Sequence, residues 1–506
     1  MKKSILFLIM AISAATLHAQ SLVDGLRYSQ ENTTGTARFN ALSGAFGALG
    51  GDLSAIAINP AGGAVFLRNE ASISAGVMGK DNEALYFNTF TKSLDSDVSL
   101  NQVGGVFVFD NTNGNSPWKK FTLGVNYNNT QNFDDELFIA GNGNTSIANF
   151  FLEQAQGTPL NLLQLQGTET IADLYTFLGE TQGAAAQNAF LGYQGFIFDP
   201  LDPQNSNNTQ YTSNVAPGTF NQEYVLVSEG YSGKYTLNLA TQYTDAFYFG
   251  INLNSHIIDY RQSTFLFERN NNQGSTVNEI GFENNLSVLG SGFSAQIGAI
   301  AKATENLRLG LTYDTPTWFT ISEETTQYLE TQRTNNGQTN TVVVDPRVLN
   351  IYEDYNLKTP GKLAASAAYI FGKSGLISFD YSYKDFSEIT FKPTSDPVFA
   401  SENTNIETVL KGASTYRLGG EYRFNDVSFR AGYRFEESPY NNKQIMDDLN
   451  GFSLGLGYNF GNYYMDLSYA RTEQERQQQL YSTGLTDSAL INTIDDSFVF
   501  TFGLKL

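Results

Sequence analysis

The amino-acid sequence predicts an all-β fold, a transmembrane antiparallel β-barrel of about 14 strands with an N-terminal plug and a helical extracellular insert. Three observations carry that expectation. Apolar and polar or small residues alternate with a period of two through most of the 506 residues. Past the N-terminus no stretch approaches the ~20 consecutive apolar residues that a membrane helix needs. Short turns and long polar connections alternate along the second half of the chain, the asymmetry of a barrel with short periplasmic turns and long external loops.

The alternation is clearest near the C-terminus. Val427, Phe429, Ala431, Tyr433 and Phe435 share one face, opposite Ser428, Arg430, Gly432, Arg434 and Glu436. Phe452, Leu454, Leu456, Tyr458 and Phe460 repeat the pattern, as do Phe121, Leu123, Val125 and Tyr127. The chain ends on an amphipathic run of Phe498, Phe500, Phe502, Leu504 and Leu506. Strands are expected near residues 68–79 (or on through Lys80 to Phe90), 98–110, 119–132, 223–243, 246–269, 276–302, 306–328, 355–372, 375–393, 411–424, 427–437, 451–460, 463–475 and 494–506. Short turns fall at Thr244–Ala246, Thr304–Asn306, Gly372–Gly375, Asn425–Asp426 and Gly461–Asn462; long loops fall at Thr331–Asp354, Pro393–Leu410, Ser438–Asn450 and Gln477–Thr493. Gly104–Gly105 is a candidate bulge or kink.

Lys2 and Lys3, the apolar run from Ser4 to Ala15 and small Ala19 have the layout of a secretory signal, with cleavage expected between Ala19 and Gln20. The domains are then a signal peptide over 1–19, a plug over 20–66 and a barrel over 67–506, interrupted by an insert at about 133–221. In that insert Ile171, Leu174, Tyr175 and Leu178 fall at i, i+3, i+4 and i+7, with Thr168 or Thr170 as the cap, which predicts a helix. Phe150, Phe151, Phe190 and Leu191 add apolar mass, and these residues with Leu174 and Leu178 are the candidate contacts for an apolar ligand.

Composition excludes several function classes. With 51 acidic against 30 basic residues, a basic nucleic-acid-binding surface is not expected. The chain has no cysteine, so thiolate metal sites, disulfides and lipid attachment through cysteine are excluded. Past the signal only His256 remains, so no metal, no cofactor and no enzymatic activity are expected. Alternation places Arg417, Glu421 and Arg423 on one face, with Arg430 and Arg434 on the neighbouring strand and Asp380, Lys384 and Asp466 nearby. Arginines could clamp a carboxylate ligand. The accompanying acids favour a salt-bridge network that ties wall to plug.

The most specific segment is GTARFNALSGAFGALGGDLSAIAINPAGGAVF, from Gly35 to Phe66. Its small-residue run (Gly44, Gly47, Gly51), Asp52 and the Asn59-Pro60-Ala61-Gly62 turn before the first strand resemble the N-terminal hatch of the long-chain fatty acid transporter family of FadL/TodX type. The resemblance implies a fourteen-stranded barrel plugged by this hatch, in the outer membrane of a Gram-negative bacterium. It also implies passive uptake of hydrophobic compounds, long-chain fatty acids or related hydrocarbons, delivered to outer-membrane lipid by a monomer. No nucleotide-binding loop and no TonB-box-like segment stands out, in keeping with passive movement. The large insert and the acidic external loops also permit a protein partner, so a secretion accessory, docking platform or adhesive barrel is the rival expectation.

Overall fold

The computed structural model describes residues 21–113, 115–335 and 337–506. The expected signal segment and its cleavage point lie outside the described residues. Fourteen antiparallel strands close into one barrel. They are β1 (Glu70–Tyr86), β2 (Thr89–Asp110), β3 (Trp118–Asn132, continuing as Asp135–Gly143), β4 (Phe220–Tyr243), β5 (Phe247–Arg269) and β6 (Val277–Lys302). Next come β7 (Leu307–Asp314, continuing as Trp318–Asn335), β8 (Tyr355–Lys358 and Lys362–Ile370), β9 (Gly375–Asp385) and β10 (Gly412–Phe424). The last four are β11 (Val427–Glu436), β12 (Leu449–Asn459), β13 (Tyr463–Gln479) and β14 (Ser488–Lys505). Pairing of Glu70 with Lys505 through Leu85 with Leu490 closes the cylinder.

The outward face explains the alternation. Phe249, Ile251 and Leu253 on β5, Phe452, Leu454 and Leu456 on β12, and Phe498 and Phe500 on β14 are exposed where a bilayer would cover them. Aromatic pairs mark the periplasmic rim, with Trp118 and Tyr243 centroids 4.9 Å apart and Phe460 stacked on Tyr463 at 4.7 Å. No described helix is long and apolar enough to cross a membrane. The molecule is an outer-membrane barrel.

Several boundaries differ from the sequence reading, among them the ends of the strands at Asn335 and Gln479 and the start of the last strand at Ser488. β1 runs through Gly79–Glu83 to Tyr86 and turns at Phe87–Asn88, so β1 and β2 form one tall hairpin. There Asp81 and Glu83 meet Lys92 among exposed Leu85, Phe90 and Leu94, so the apolar alternation is interrupted while the ladder continues. The strand β3 resumes at Asp135 and stays paired with β4 to Gly143, so the insert spans 144–219. The loop expected at Pro393–Leu410 contains a helix, Pro397–Val409, capped by Asp396 with Pro397 in its first turn.

Residues 22–66 fill the lumen as helices α1 (Leu22–Arg27), α2 (Ala37–Ala41) and α3 (Leu53–Ile58) and a 3₁₀ turn (Pro60–Val65). The insert carries α4 (Ala148–Ala155), α5 (Ile171–Gln182) and α6 (Ala184–Gln194), and the helix after β9 is α7 (Pro397–Val409). The α5 helix begins where the spacing predicted, with Thr170 and Asp173 forming a reciprocal capping box. Buried Glu268 of β5 accepts the Ile147 N–H at 2.9 Å, a carboxylate at the N-terminal end of α4.

Candidate functional site: a slot in the barrel wall

The wall is not continuous. The β2–β3 ladder runs from Asp110–Lys120 up to Gln102–Asn128 and stops there. Above it β2 pairs only with β1, and β3 only with β4. The cause is a bulge on each lip. The β1–β2 register skips Asn101, and the β3–β4 register skips Thr130. A bulge bends its strand and ends pairing on that edge. Gly104–Gly105, the expected bulge, stays in register with both neighbours just below.

Past its bulge β3 breaks at Phe133–Asp134. Gly230 of β4, at φ +117°, accepts the Phe133 N–H at 2.9 Å and donates its own N–H to Asp134 Oδ1 at 3.0 Å. A Cβ at Gly230 would lie 2.1 Å from the Asp259 carbonyl oxygen, so only glycine fits. The β3 extension then crosses behind the β1–β2 hairpin. Ser93 Oγ and Thr91 Oγ1 donate to the Glu136 and Phe138 carbonyls at 2.7 and 2.6 Å, and Asn82 Nδ2 donates to Asp135 Oδ1 at 2.6 Å. What remains is a cavity of about 880 Å³ through the wall. Its outward lip is apolar and aromatic, with Val98, Leu100, Tyr231 and Tyr235 exposed. Its inner side reaches Asn129, which also lines a smaller lumen hollow beside the hatch.

Below the slot the hatch is held by apolar contacts, such as Leu42 and Phe46 with Ala368 and Leu376 of the wall, and by many polar bonds from the wall. Asn126, Asn238 and Asn252 donate side-chain amides to the carbonyls of Leu53, Pro60 and Ile56 at 3.2, 3.0 and 2.8 Å. Asp380 accepts the Phe46 and Gly47 N–H groups at 3.0 and 2.8 Å. Asp52 caps α3 through the Ser54 N–H and accepts Thr36 Oγ1 at 2.9 Å. Asn59 caps the 3₁₀ turn at Ala61 and donates to the Gly47 carbonyl at 2.7 Å. Gly51 donates to the Gly62 carbonyl at 3.2 Å, and Pro60, Ala61 and Gly62 are buried. Gly44 forms the turn after α2. On the wall, a Cβ at Gly310 would lie 2.3 Å from the Gly47 carbonyl oxygen, so backbone packs on backbone there.

The lumen charges form a network. Glu421, fully buried, accepts Arg38 of the hatch at 2.8 Å, Arg423 at 2.7 Å and Arg430 at 2.7 Å, and Arg430 continues to Asp466 at 2.6 Å. Arg417 and Arg434 flank Glu436 at 3.8 and 3.7 Å, and Arg434 also donates to Thr33 of the hatch. Arg38 and Thr33 on the hatch side of this network went unnoticed in the sequence, where neither belongs to an alternating strand. The arginines hold the hatch, and the carboxylate clamp is not their arrangement. His256 Nε2 lies 2.8 Å from Ser294 Oγ, edge-on to Phe319 on the inner face of the wall.

The insert residues correct an expectation. Phe150, Phe151, Leu174, Leu178, Phe190 and Leu191 are brought together, but all six are buried in one core with Phe282, Leu266 and Leu329 of the wall. They form no open groove, because the upper ends of β5, β6 and β7 supply the missing half of the core.

A family model named BamG matches residues 199–482, more than half of the chain. The chain belongs to the BamG family. The match covers the wall from the end of the insert to β13 and leaves out the hatch. No curated protein matches. Among solved structures, a Pseudomonas aeruginosa FadL homologue is similar over 94% of this chain and 99% of its own, at 13% identity and a TM-score of 0.53. The Pseudomonas putida toluene transporter TodX is similar over 94% and 99%, at 12% identity and a TM-score of 0.52. At such identities the likeness is one of fold. The hatch-based resemblance to the FadL/TodX type therefore stands for architecture, while the family that matches is BamG.

Proposed function

We propose that this barrel lets apolar small molecules move passively between the outside and the bilayer, through the slot between β2 and β3. The observation that carries the reading is the slot itself, a cavity of about 880 Å³ with an exposed apolar lip. The hatch stands below it, so movement sideways into the membrane is easier than movement to the periplasm. No energy source is needed, because an apolar chain gains about 0.8 kcal/mol per methylene on leaving water. The fold likeness to a FadL homologue and to a toluene transporter agrees with this reading. Long-chain fatty acids and related hydrocarbons are the first compounds to test, with outer-membrane lipid as the receiver and a monomer as the working unit.

The test is uptake of labelled fatty acids of several lengths and of aromatic hydrocarbons by an outer-membrane mutant, with and without this chain. Faster uptake of at least one class is expected. No gain for any of them, with folded protein present, would overturn the channel reading. It would favour the rival one, a docking platform or secretion accessory. One observation supports that rival. The external insert is a closed body rather than an open capture groove.

A further inference from the structure

The slot has a chemistry of its own. Asp95 and Asp97 point into it from β2, Asp134 and Glu136 from the β3 extension, and Glu229 and Asp259 from β4 and β5. Among the lining residues the one cation is Arg261, 3.8 Å from Asp259. A seventh carboxylate, Asp135, is matched by Lys80 and Arg476, each at 3.7 Å. Among the described residues Asp95, Glu136 and Glu229 meet no cation within ion-pair distance. Asn129 lines the inner side of the slot at 5% exposure, with its amide oxygen buried in the wall. The aromatic lip adds ring faces, with Tyr127 and Tyr235 centroids 5.0 Å apart.

Carboxylates and tyrosine faces attract a positively charged head. Exposed Val98 and Leu100 suit an apolar tail. From this juxtaposition we infer that the slot selects amphiphiles with a cationic head, such as alkylammonium compounds, over amphiphiles with a carboxylate head. The inference rests on the channel reading and narrows its substrate class. Lumen cations do exist deeper in, at Lys234, Lys362 and Arg417. A carboxylate would have to cross the acidic rim to reach them, and Glu31 already holds Lys362 at 2.9 Å. A rim of one charge sign raises the local concentration of the opposite sign by about tenfold or more.

The experiment compares three twelve-carbon probes, dodecyltrimethylammonium, dodecanoate and dodecanol, at low concentration in cells with and without the full chain. The protein-dependent uptake of the ammonium should exceed that of dodecanoate by about tenfold. The double variant Asp95→Asn/Glu229→Gln, at two carboxylates without ion partners, should bring the ratio close to one. Glu305→Gln, in a periplasmic turn, should leave it unchanged. A ratio at or below one in the unaltered chain, or a ratio indifferent to the double variant, would overturn the inference. Continued uptake of dodecanol in that case would leave the channel reading standing. If dodecanol also gains nothing from the protein, both readings fall.

Discussion

The hatch and the external insert both lie off the barrel wall, and they are held in place by different balances of polar and apolar contact. The insert has a core of large apolar side chains, with Phe151, Tyr175, Phe190 and Phe198 fully buried. The hatch has small residues and short helices, and it satisfies its carbonyls with asparagines and arginines of strands far away in sequence. Its large apolar residues, Leu42, Phe46, Leu53 and Ile56, are buried against the wall, and short helices without that wall cannot offset their chain entropy. The hatch therefore depends on the closed barrel for its polar partners, and the insert draws on the barrel rim for half of its apolar core.

Deleting residues 40–60 gives the largest expected effect. The wall has no substitute for the hatch below the slot, so ion conductance in planar bilayers should rise from a closed level to that of an open barrel. Shortening the insert between residues 144 and 219 should leave conductance near the closed level. Equal conductance from both deletions would erase the distinction between the two regions. Replacing Glu421 by Ala comes next. It leaves Arg38, Arg423 and Arg430 around an empty site, and losing one member of a buried ionic cluster costs about 3–5 kcal/mol. Limited proteolysis should then find the hatch accessible while the insert stays protected. A hatch as resistant as in the unaltered chain would mean that the amide bonds suffice without the charge network. Smallest is Thr170→Ala, which removes the reciprocal cap of α5. A cost of about 1 kcal/mol is expected, read as faster hydrogen exchange in α5 alone. Faster exchange in the hatch as well would show that the two regions are coupled.

The parts of the fold that were legible in the sequence are those set by local pattern. Val427–Phe435 and Phe452–Phe460 declare their faces because lipid lies on one side and the lumen on the other. The α5 helix declares itself through spacing and cap. The upper parts of β1 and β3 did not. A continuation of the first strand through Lys80 to Phe90 is open but not fixed, because Lys80–Glu83 is all polar and Phe87–Asn88 lacks the usual residues of a two-residue hairpin. The slot was illegible for a deeper reason. It is an absence of pairing between β2 and β3, fixed by bulges at Asn101 and Thr130, and no single-strand pattern records which edges stay unpaired. Likewise the stripe of Leu174 and Leu178 announced a buried face but not its partner, which the barrel rim supplies. The charge network was half visible. Arg417, Glu421, Arg423, Arg430 and Arg434 stood out by alternation, while Arg38, which links them to the hatch, sits in a segment with no period to read.

The most direct test of lateral passage uses the absence of cysteine in the chain. A single cysteine at Leu100, on the exposed lip of the slot, can be labelled with a bulky maleimide, beside a control at Ile251, exposed on the lipid face of β5. Protein-dependent uptake of a neutral hydrocarbon should fall to near the level without protein when the Leu100→Cys variant is labelled. It should stay unchanged when Ile251→Cys is labelled. Full uptake through the labelled Leu100→Cys protein would contradict passage through the wall.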